Sequence, residues 1–253
     1  MTHAKKEDGM VAAHVKASAL TQVFPRLMVE RGRRVNVVLM GPPGAGKGTQ
    51  AGTVAGLVDV AHVASGDLLR DLIKQNTETA GLVRSFMDRG ELVPDDLTLT
   101  IVMARLAADD SREGFILDGF PRTVTQAKAL DEQLSTDGRR LDRVIDLVVP
   151  DDVLLARLSG RWLCQNCHAS YHTIFSPPTA DGVCDRCGGS LYQRVDDTLE
   201  TARRRLEVYE HDTRPVLEYY RHKGILVEVP GDRSVREVSE ALRVAIVTQR
   251  DAL

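Results

Sequence analysis

The sequence contains no long apolar run and no strong excess of charge of either sign. No stretch approaches the ~18 apolar residues that a membrane-spanning helix requires. The first residues, Met1 to Asp8, lack the apolar segment found at the centre of a secretory signal peptide. A formal net charge of −3 argues against bulk binding of nucleic acid or of an acidic membrane surface. These absences predict a cytoplasmic protein that associates with neither membranes nor nucleic acid.

Cysteine is scarce, and all four cysteines lie within one short segment. They form two C-x-x-C pairs, Cys164 with Cys167 and Cys184 with Cys187. In a reducing compartment this spacing is typical of a tetrahedral metal site with four thiolate ligands rather than of disulfides. The pattern predicts zinc or another metal that prefers thiolates, with reduced cysteines or disulfides as the alternative. His168 and His172 lie nearby but are not predicted as ligands, because four thiolates complete the site.

The length and composition are those of an ordinary globular protein. The 253 residues are enough for one large α/β domain with insertions or for two small domains. Apolar residues make up 43% of the chain and charged residues 27%, so a sizeable core can form. Residues 1–34 carry no motif, and we predict that they are a disordered extension before the globular part.

Short apolar stretches alternate with amphipathic ones from residue 35 onwards. The predicted strands span 35–40, 61–64, 115–117, 144–149 and 225–229. The predicted helices span 49–58, 65–73, 79–89, 94–107, 123–134, 198–222 and 235–247, and a further one begins after Pro150. Such alternation with short connections predicts a parallel sheet covered by helices on both faces. We expect the helix over 198–222 to bend or break before Pro215.

The first predicted strand is followed by a glycine-rich segment, Gly41-Pro42-Pro43-Gly44-Ala45-Gly46-Lys47-Gly48-Thr49. Glycines let backbone N–H groups converge on an anion, and the helix that follows adds unpaired N–H donors. Lys47 would then reach the β- and γ-phosphates of a nucleotide. The alternative is an ordinary glycine-rich turn, but the strand before it and the helix after it favour a phosphate-binding loop. Gly48 stands where the general motif has Ser or Thr, and Thr49 comes one residue later.

A second informative stretch, residues 114–122, begins with the predicted strand that ends before Asp118. Ligands of open α/β sheets gather at the carboxyl ends of strands, so Asp118 and Arg122 are expected to face the phosphate site. Asp118 could hold Mg²⁺ through water, because this hard cation keeps much of its hydration shell. The alternative interpretation is a capping aspartate beside a surface arginine. Earlier in the chain, Ser65 is predicted to cap the helix over 65–73.

Four motifs together resemble those of the adenylate kinase family. In chain order they are the glycine-rich segment, Ser65-Gly66-Asp67-x-x-Arg70, Asp118-Gly119-Phe120-Pro121-Arg122 and Arg194-x-Asp196-Asp197. The resemblance extends from Val35 to about Val247 and is to the long bacterial form, in which a zinc-bearing lid replaces a short loop. Gly48 after Lys47, unusual for the general motif, is typical of this family.

The resemblance implies a P-loop NTPase-type α/β fold with a five-stranded parallel sheet in the order 2-3-1-4-5. It implies a core over 35–63, 94–159 and 198–253, an AMP-binding insertion over 64–93, and a zinc-binding lid over 160–197. It also implies a monomer that transfers a phosphoryl group reversibly from ATP to AMP with Mg²⁺, giving two ADP.

Individual site residues are assigned by their match to the family motifs. The ATP site is matched by Gly44, Ala45, Gly46, Lys47, Gly48, Thr49, Arg157, Arg161, Ser170, Tyr171 and Arg233. The AMP site is matched by Ser65, Arg70, Glu91, Leu92, Val93, Gly119, Phe120, Pro121, Arg122, Gln126, Arg194 and Arg205. The residues assigned to catalysis are Lys47, Arg122, Arg157, Arg194 and Arg205.

Two other functions remain open at this stage. A related kinase could phosphorylate GMP, CMP or UMP, although Gln126 and the backbone around Leu92 and Val93 favour adenine. A P-loop domain with a nucleic-acid-binding zinc ribbon would need a basic lid over 160–197. Acidic residues instead outnumber arginines there: Asp181, Asp185, Asp196 and Asp197 against Arg161, Arg186 and Arg194.

Overall fold

The computed structural model describes residues 35–75, 77–193 and 199–247. The predictions made for residues 1–34, and those for Arg194, Asp196 and Asp197, lie outside the described residues. The strands are β1 (Asn36–Met40), β2 (Ala61–Ala64), β3 (Phe115–Asp118), β4 (Arg143–Val148), β5 (Arg161–Cys164), β6 (Ser170–His172), β7 (Leu191–Tyr192) and β8 (Leu226–Pro230). Among the described helices, none is both long and apolar enough to cross a membrane.

The helices surround the strands in the alternating order that the sequence predicts. They are α1 (Lys47–Val58), α2 (Ser65–Ile73), α3 (Glu78–Asp88), α4 (Asp95–Leu106), α5 (Asp109–Arg112), α6 (Val124–Thr136), α7 (Asp151–Ser159), α8 (Leu199–Val208), α9 (Arg214–His222) and α10 (Val235–Val247). Within the described ranges, the predicted strands and helices are present, and their ends agree with the prediction to within about two residues. Methods of assigning helix ends differ by a similar amount. The short helix α5 and the strands β5, β6 and β7 were not predicted.

Five strands form the central sheet in the order β2-β3-β1-β4-β8, and all of their pairings are parallel. Because β8 is the fifth strand of this sheet along the chain, the predicted order 2-3-1-4-5 is confirmed. β1 lies in the centre, with Val38 opposite Leu117 of β3 and opposite Val144 of β4. The loop that follows β1 therefore emerges at the middle of the sheet edge where the carboxyl ends of the strands meet.

Both faces of the central sheet are buried, which explains the continuous apolar runs of its strands. On one face Val37 and Leu39 of β1 pack with residues of α1, α7 and α10. On the other face Val38 and Met40 of β1 pack with residues of α4, α6 and α9. The helices thus hold the loops at the sheet edge from two sides.

The helix predicted over 198–222 is interrupted before Pro215, as expected. Tyr209–Thr213 form a π-helical turn between α8 and α9, and the backbone N–H of Arg214 donates to the carbonyl of Tyr209. Proline has no N–H group, and its ring clashes with the carbonyl four residues earlier, so the regular hydrogen-bond pattern cannot continue through Pro215. The wider turn leaves Tyr209 and Thr213 buried.

Two local predictions about helix starts were wrong. Ser65 does not cap α2: the N-cap is Ala64, and the Ser65 hydroxyl donates to the carbonyl oxygen of Asp118 at 3.2 Å. Ser65 is buried between the ends of β2 and β3, so the nearest acceptor for its hydroxyl lies across the sheet. Pro94 is the N-cap of α4 rather than its first helical residue.

The cysteine-rich segment forms a separate antiparallel sheet in the order β6-β5-β7. Its small core consists of Cys164, Tyr171, Cys184 and Leu191, with Trp162 partly buried against them. Cysteines thus supply much of the apolar material in this part of the molecule.

Candidate active site

The glycine-rich segment forms a tight loop between β1 and α1. Gly41, Gly44 and Gly46 have φ angles of +137°, +87° and +95°, a region that favours glycine. A Cβ atom would lie 2.9 Å from the carbonyl oxygen of Leu147 at Gly41, and 2.9 Å from that of Leu154 at Gly44. Gly46 is the N-cap of α1 and has no side chain to occupy the first N–H groups of the helix. The loop can therefore direct backbone N–H groups at an anion.

Lys47 lies at the start of α1 and folds over this loop. Its Nζ donates to the carbonyl oxygens of Gly41 at 2.6 Å and Pro42 at 3.0 Å. Burial lowers the pKa of Lys47 to about 8, and the nearby positive charges of Arg122 and Arg205 contribute in the same direction, whereas Asp118 opposes the shift. A bound polyphosphate would favour the protonated lysine, because it brings negative charge next to the ammonium group.

Asp118 ends β3 beside the same loop. A Cβ atom on Gly48 would lie 3.6 Å from Asp118 Oδ2, so the carboxylate faces the start of α1. His62 of β2 has its Nε2 atom 3.9 Å from the same oxygen. Gly119, the next residue, has a φ angle of +78°, and a Cβ atom there would lie 2.9 Å from the Ser65 hydroxyl. The chain can therefore turn sharply past the loop.

Arg122 is held by the turn between β3 and α6. Its Nε donates to the carbonyl oxygen of Gly119 at 2.8 Å, and its backbone N–H donates to Gln126 Oε1 at 2.7 Å. Gln126 Nε2 and the Thr123 hydroxyl donate to the two carboxylate oxygens of Asp95, each at 2.7 Å. Asp95 at the start of α4 thus anchors the arginine turn. The sequence analysis did not single out Asp95, because its partners lie far away along the chain.

Two of the predicted AMP-binding residues, Arg70 and Val93, are held by contacts within the segment from α2 to α4. Arg70 Nη2 bonds to Asp67 Oδ1 at 2.5 Å, so this guanidinium is held at the beginning of α2. Val93 is buried with Leu69 and Val83 in a small apolar cluster of its own. Gly90 has a φ angle of +71°, and a Cβ atom there would lie 3.0 Å from Arg205 Cγ of α8.

Arg157 near the end of α7 is bonded to the loop between β8 and α10. Its Nη1 donates to the carbonyl oxygen of Gly231 at 2.9 Å, and burial lowers the pKa of this guanidinium. The same loop carries Arg233, which is exposed. The guanidinium of Arg157 thus links α7 to the loop that carries Arg233.

A single cavity of about 1380 Å³ joins these regions. All described residues that were assigned to the two nucleotide sites line this cavity, and they include residues of both predicted insertions. Arg194 lies outside the described residues. Pockets for single drug-sized ligands occupy ~300–1,000 Å³, so this cavity is large enough for more than one such molecule. The separate sequence motifs therefore converge on one space.

The four cysteine sulfur atoms form a cluster in which all lie within 4.8 Å of one another. Cys164 and Cys187 Sγ are 3.4 Å apart, and Cys167 and Cys184 Sγ are 3.6 Å apart. These distances exclude disulfides, whose S–S bonds are ~2.05 Å long. A tetrahedron with zinc–sulfur bonds of ~2.3 Å has edges of ~3.8 Å. The cluster therefore fits a tetrahedral metal ion.

Of two neighbouring residues on β6, Tyr171 contacts the sulfur cluster and His172 contacts α7. Tyr171 Oη lies 3.3 Å from Cys184 Sγ and accepts the backbone N–H of Asp185 at 2.8 Å. The contact between the Tyr171 hydroxyl and Cys184 Sγ is the main reason that the pKa of Cys184 is lowered. His172 is buried and lies outside the sulfur cluster: its Nδ1 accepts the N–H groups of Ile174 and Phe175, and its Nε2 is 3.1 Å from the carbonyl oxygen of Ala156.

Comparison with known proteins identifies the family. The model of the adenylate kinase family matches residues 39–225. An adenylate kinase from Desulfitobacterium hafniense is 50% identical over 204 residues, which cover 81% of this chain and 94% of that protein. Those from Caldicellulosiruptor bescii (45% over 212 residues; 84% and 99% covered) and Methanocella arvoryzae (48% over 209 residues; 83% and 97% covered) are similar as well. The chain belongs to the adenylate kinase family.

Membership of the adenylate kinase family confirms the resemblance drawn from the four motifs, and it makes the chain a phosphotransferase of the nucleoside monophosphate kinase class. The family implies Mg²⁺ together with ATP, and the four-cysteine cluster agrees with the long form of the family.

Three side chains around this adenylate kinase site were missed by the sequence analysis. Asp95 was missed for the reason given above. Asp146 of β4 is buried, and its negative charge acts on Lys47 of α1, although the two residues are distant in sequence. His172 was considered only as a metal ligand, whereas it joins β6 to α7. All three act through contacts between segments distant in sequence, and no local pattern indicates them.

Proposed function

We propose that this chain transfers the terminal phosphoryl group of MgATP to AMP, reversibly, and so forms two ADP. The observation that carries the proposal is the single cavity, which is lined by the glycine-rich loop and by residues of the Ser65–Arg70 and Asp118–Arg122 motifs. Two anion-binding regions within one cavity suit a reaction between two nucleotides.

The acceptor needs no general base. The second pKa of a phosphate monoester is about 6, so the AMP phosphate is mostly a dianion at neutral pH and is already a nucleophile. The obstacle is to bring two polyanions into line and to stabilise the charge on the transferred group. Guanidinium groups suit this task, because they stay charged and bind oxygens in pairs.

The loop from Gly44 to Thr49 is proposed to bind the ATP phosphates through its N–H groups and through Lys47. Arg70 and Arg122 are proposed to bind the AMP phosphate, with Gln126 and the backbone of Glu91, Leu92 and Val93 around its base. The close approach of Gly90 to Arg205, and the hydrogen bond that fixes Arg122 to Gly119, support an arrangement in which these arginines meet the transferred group.

On the ATP side, Arg157 and Arg161 are proposed to lie over the phosphates, with Ser170, Tyr171 and Arg233 near the base. Arg194 is assigned to the transferred group from its motif alone. Closure of the proposed lid over 160–197 and of the insertion over 64–93 would exclude water, which would otherwise hydrolyse ATP.

Asp118 is proposed to hold Mg²⁺ through water molecules. Its carboxylate faces the start of α1, where the phosphates would lie, which suits an outer-sphere contact. When bound with ATP, the ion neutralises charge on the β- and γ-phosphate oxygens.

The metal of the cysteine cluster is proposed to be zinc with a structural role. Four thiolates would fill its coordination sphere, whereas catalytic zinc keeps one position open for water or substrate. We further propose a cytoplasmic monomer that binds neither nucleic acid nor membranes, which sedimentation and a salt-dependent DNA titration would test.

The proposed substrate is tested by a coupled assay with AMP, GMP, CMP and UMP as acceptors and with metal analysis on the same sample. We expect ADP formation to depend on Mg²⁺, with AMP strongly preferred and about one zinc bound per chain. Equal or faster turnover with another monophosphate would contradict the proposed acceptor.

A further inference from the structure

A side-chain hydroxyl from outside the two C-x-x-C turns contacts the sulfur cluster. Tyr171 lies in the middle of β6, and its ring is buried in the small core of the cysteine-rich sheet. Its hydroxyl reaches Cys184 Sγ at 3.3 Å and Asp185 N at 2.8 Å. Because the backbone N–H must donate, the hydroxyl oxygen is the acceptor from Asp185, and its own hydrogen is available for the sulfur.

We propose that Tyr171 is a positioning residue of the metal site, whose hydroxyl donates to the Cys184 thiolate and fixes that ligand. The inference rests on the proposed four-thiolate metal site. Groups that hydrogen-bond to ligating atoms orient them, and their loss typically lowers metal affinity about 10- to 100-fold. Tyr171 can do this for Cys184, because its hydroxyl lies 3.3 Å from Cys184 Sγ.

The other cysteine turn provides a contrast that a substitution can exploit. Cys164 Sγ accepts the backbone N–H of Asn166 at 3.4 Å, a contact that no side-chain replacement removes. At Cys184 the donor includes a side-chain hydroxyl, so the change of Tyr171 to phenylalanine deletes one oxygen and leaves the buried ring in place. The effect of the hydrogen bond can therefore be separated from the effect of packing.

The position of Tyr171 also joins the metal to the nucleotide cavity. Ser170 and Tyr171 both line the cavity, and Tyr171 Oη also lies 3.3 Å from Cys184 Sγ in the sulfur cluster. On β5, Leu163 pairs with Ser170 and Cys164 follows directly. A hydroxyl bonded to Cys184 therefore ties the strand at the cavity to the second pair of cysteines as well as to the first.

The test compares the full-length chain with Tyr171→Phe and with Tyr192→Phe, which removes the hydroxyl of the tyrosine on β7 of the same sheet. Each protein is loaded with zinc, and its affinity is measured by competition with a chromogenic chelator. We expect affinity to fall by about tenfold in Tyr171→Phe. We expect no change in Tyr192→Phe. With cobalt in place of zinc, we expect the thiolate-to-metal charge-transfer band to shift in Tyr171→Phe alone.

A second measurement uses the unmodified chain, so it does not depend on how well a variant folds. With a spin-½ cadmium isotope in the site, the Tyr171 hydroxyl proton should be protected from exchange and should show coupling to the metal through Cys184 Sγ. A rapidly exchanging hydroxyl, or a Tyr171→Phe variant with wild-type affinity and an unchanged cobalt spectrum, would overturn the role of Tyr171 while leaving the metal site intact. If the unmodified chain bound no metal, the metal-site proposal would fail and this inference with it.

Discussion

The central sheet and the cysteine-rich sheet are stabilised in different ways. The central sheet has five parallel strands with apolar cores on both faces. The cysteine-rich sheet has three short antiparallel strands and one small core that contains two of the four cysteines. Burial of apolar side chains can hold the first, but an insertion of this size has little core and needs a further constraint such as a metal ion.

The two sheets also contribute differently to the candidate site. The central sheet positions the charged groups of the phosphate site: Lys47 follows β1, Asp118 ends β3, and Arg122 is anchored by the turn after β3. The cysteine-rich sheet carries Ser170 and Arg161 at the rim of the same cavity. The comparison therefore predicts that damage to the central region removes chemistry, whereas damage to the cysteine-rich region removes stability.

The largest expected effect is the loss of turnover in Arg122→Ala. This guanidinium is held at the carboxyl edge of the sheet and is proposed to stabilise charge in the transition state, so turnover should fall by about 10³ or more. Circular dichroism and the melting temperature should stay close to those of the unmodified chain. The measurement is steady-state turnover with saturating MgATP and AMP.

Arg236→Ala serves as the matched control, because Arg236 is an exposed arginine on α10. It should keep its turnover. A decrease in turnover of tenfold or less in Arg122→Ala would remove Arg122 from the catalytic residues. It would also contradict the assignment of the chemistry to the central sheet. The same assay on Arg194→Ala tests the assignment made from the motif alone.

The second prediction concerns removal of the metal, by chelation or in a variant with both Cys184→Ser and Cys187→Ser. The melting temperature should fall by about 5 °C or more, which corresponds to ~2 kcal/mol for a chain of this size. Near room temperature most of the turnover should remain, because Lys47, Arg122 and the Mg²⁺ that accompanies ATP are unaffected. Both quantities are measured on one metal-stripped sample. Loss of activity with an unchanged melting curve would show that the metal acts in catalysis.

How far the sequence predicts this molecule also differs between the two regions. The strands of the central sheet were predicted because burial on both faces makes them continuous apolar runs. The strands β5, β6 and β7 are two to four residues long and lie outside the alternation of apolar and amphipathic stretches from which the central strands were predicted. Short segments of this kind carry too little periodicity to be recognised.

The candidate site shows the same limit at the level of single residues. Gly41, Gly44 and Lys47 could be predicted, because the loop needs glycine and its spacing is local. The position of Ser65 could not, since its hydroxyl bonds to a carbonyl on β3 rather than to its own helix. The role of Asp95 could not be predicted either, since its partners Thr123 and Gln126 lie on another segment. Contacts between distant segments decide these roles, and one sequence does not display them.

The third prediction tests the junction between the two regions. His172 Nδ1 accepts two backbone N–H groups, so its proton must be on Nε2, which donates to the carbonyl of Ala156 on α7. A Cβ atom on Gly160 would lie 2.5 Å from the His172 ring, so the ring is packed against the end of α7. His172→Ala removes a buried imidazole and its contacts with three backbone groups, so it should lower the free energy of unfolding by about 1–3 kcal/mol. Urea denaturation measures it.

His211→Ala is the control, because His211 is an exposed histidine between α8 and α9. It should unfold at nearly the same urea concentration as the unmodified chain. Equal stability of the His172 and His211 variants would mean that the imidazole does not join the two regions.

The smallest expected effect concerns Asp146, a buried carboxyl group of the central sheet. Burial and the neighbouring Glu228 raise the pKa of Asp146 to about 6, although the positive charges of Lys47, Arg221 and Arg214 oppose the shift. Its Oδ1 is buried and receives no hydrogen bond from the residues that the structure describes. Burial in the central sheet therefore disfavours the charged form of the Asp146 carboxyl group.

The sign of the pH dependence follows from this raised pKa. The ordinary pKa of an aspartate carboxyl is 3.8, so between about pH 4 and pH 6 the folded chain binds more protons than the unfolded chain. The stability that comes from this protonation is present at low pH and is lost as the pH rises through 6. Asp146→Asn avoids the buried charge, so it should raise the melting temperature at pH 7.5 by about 3 °C, or ~1 kcal/mol. At pH 5 the difference in melting temperature between Asp146→Asn and the unmodified chain should be smaller.

The measurement is the melting temperature of the unmodified chain, of Asp146→Asn and of Asp137→Asn between pH 5 and pH 8. Asp137 is exposed at the end of α6, so its substitution should change the melting temperature little at any pH. A less stable Asp146→Asn at pH 7.5 would mean that attraction to Lys47 outweighs the cost of burying the charge. The carboxylate would then belong to the charged framework of the phosphate site, and the central region would depend on a buried ion pair as well as on apolar packing.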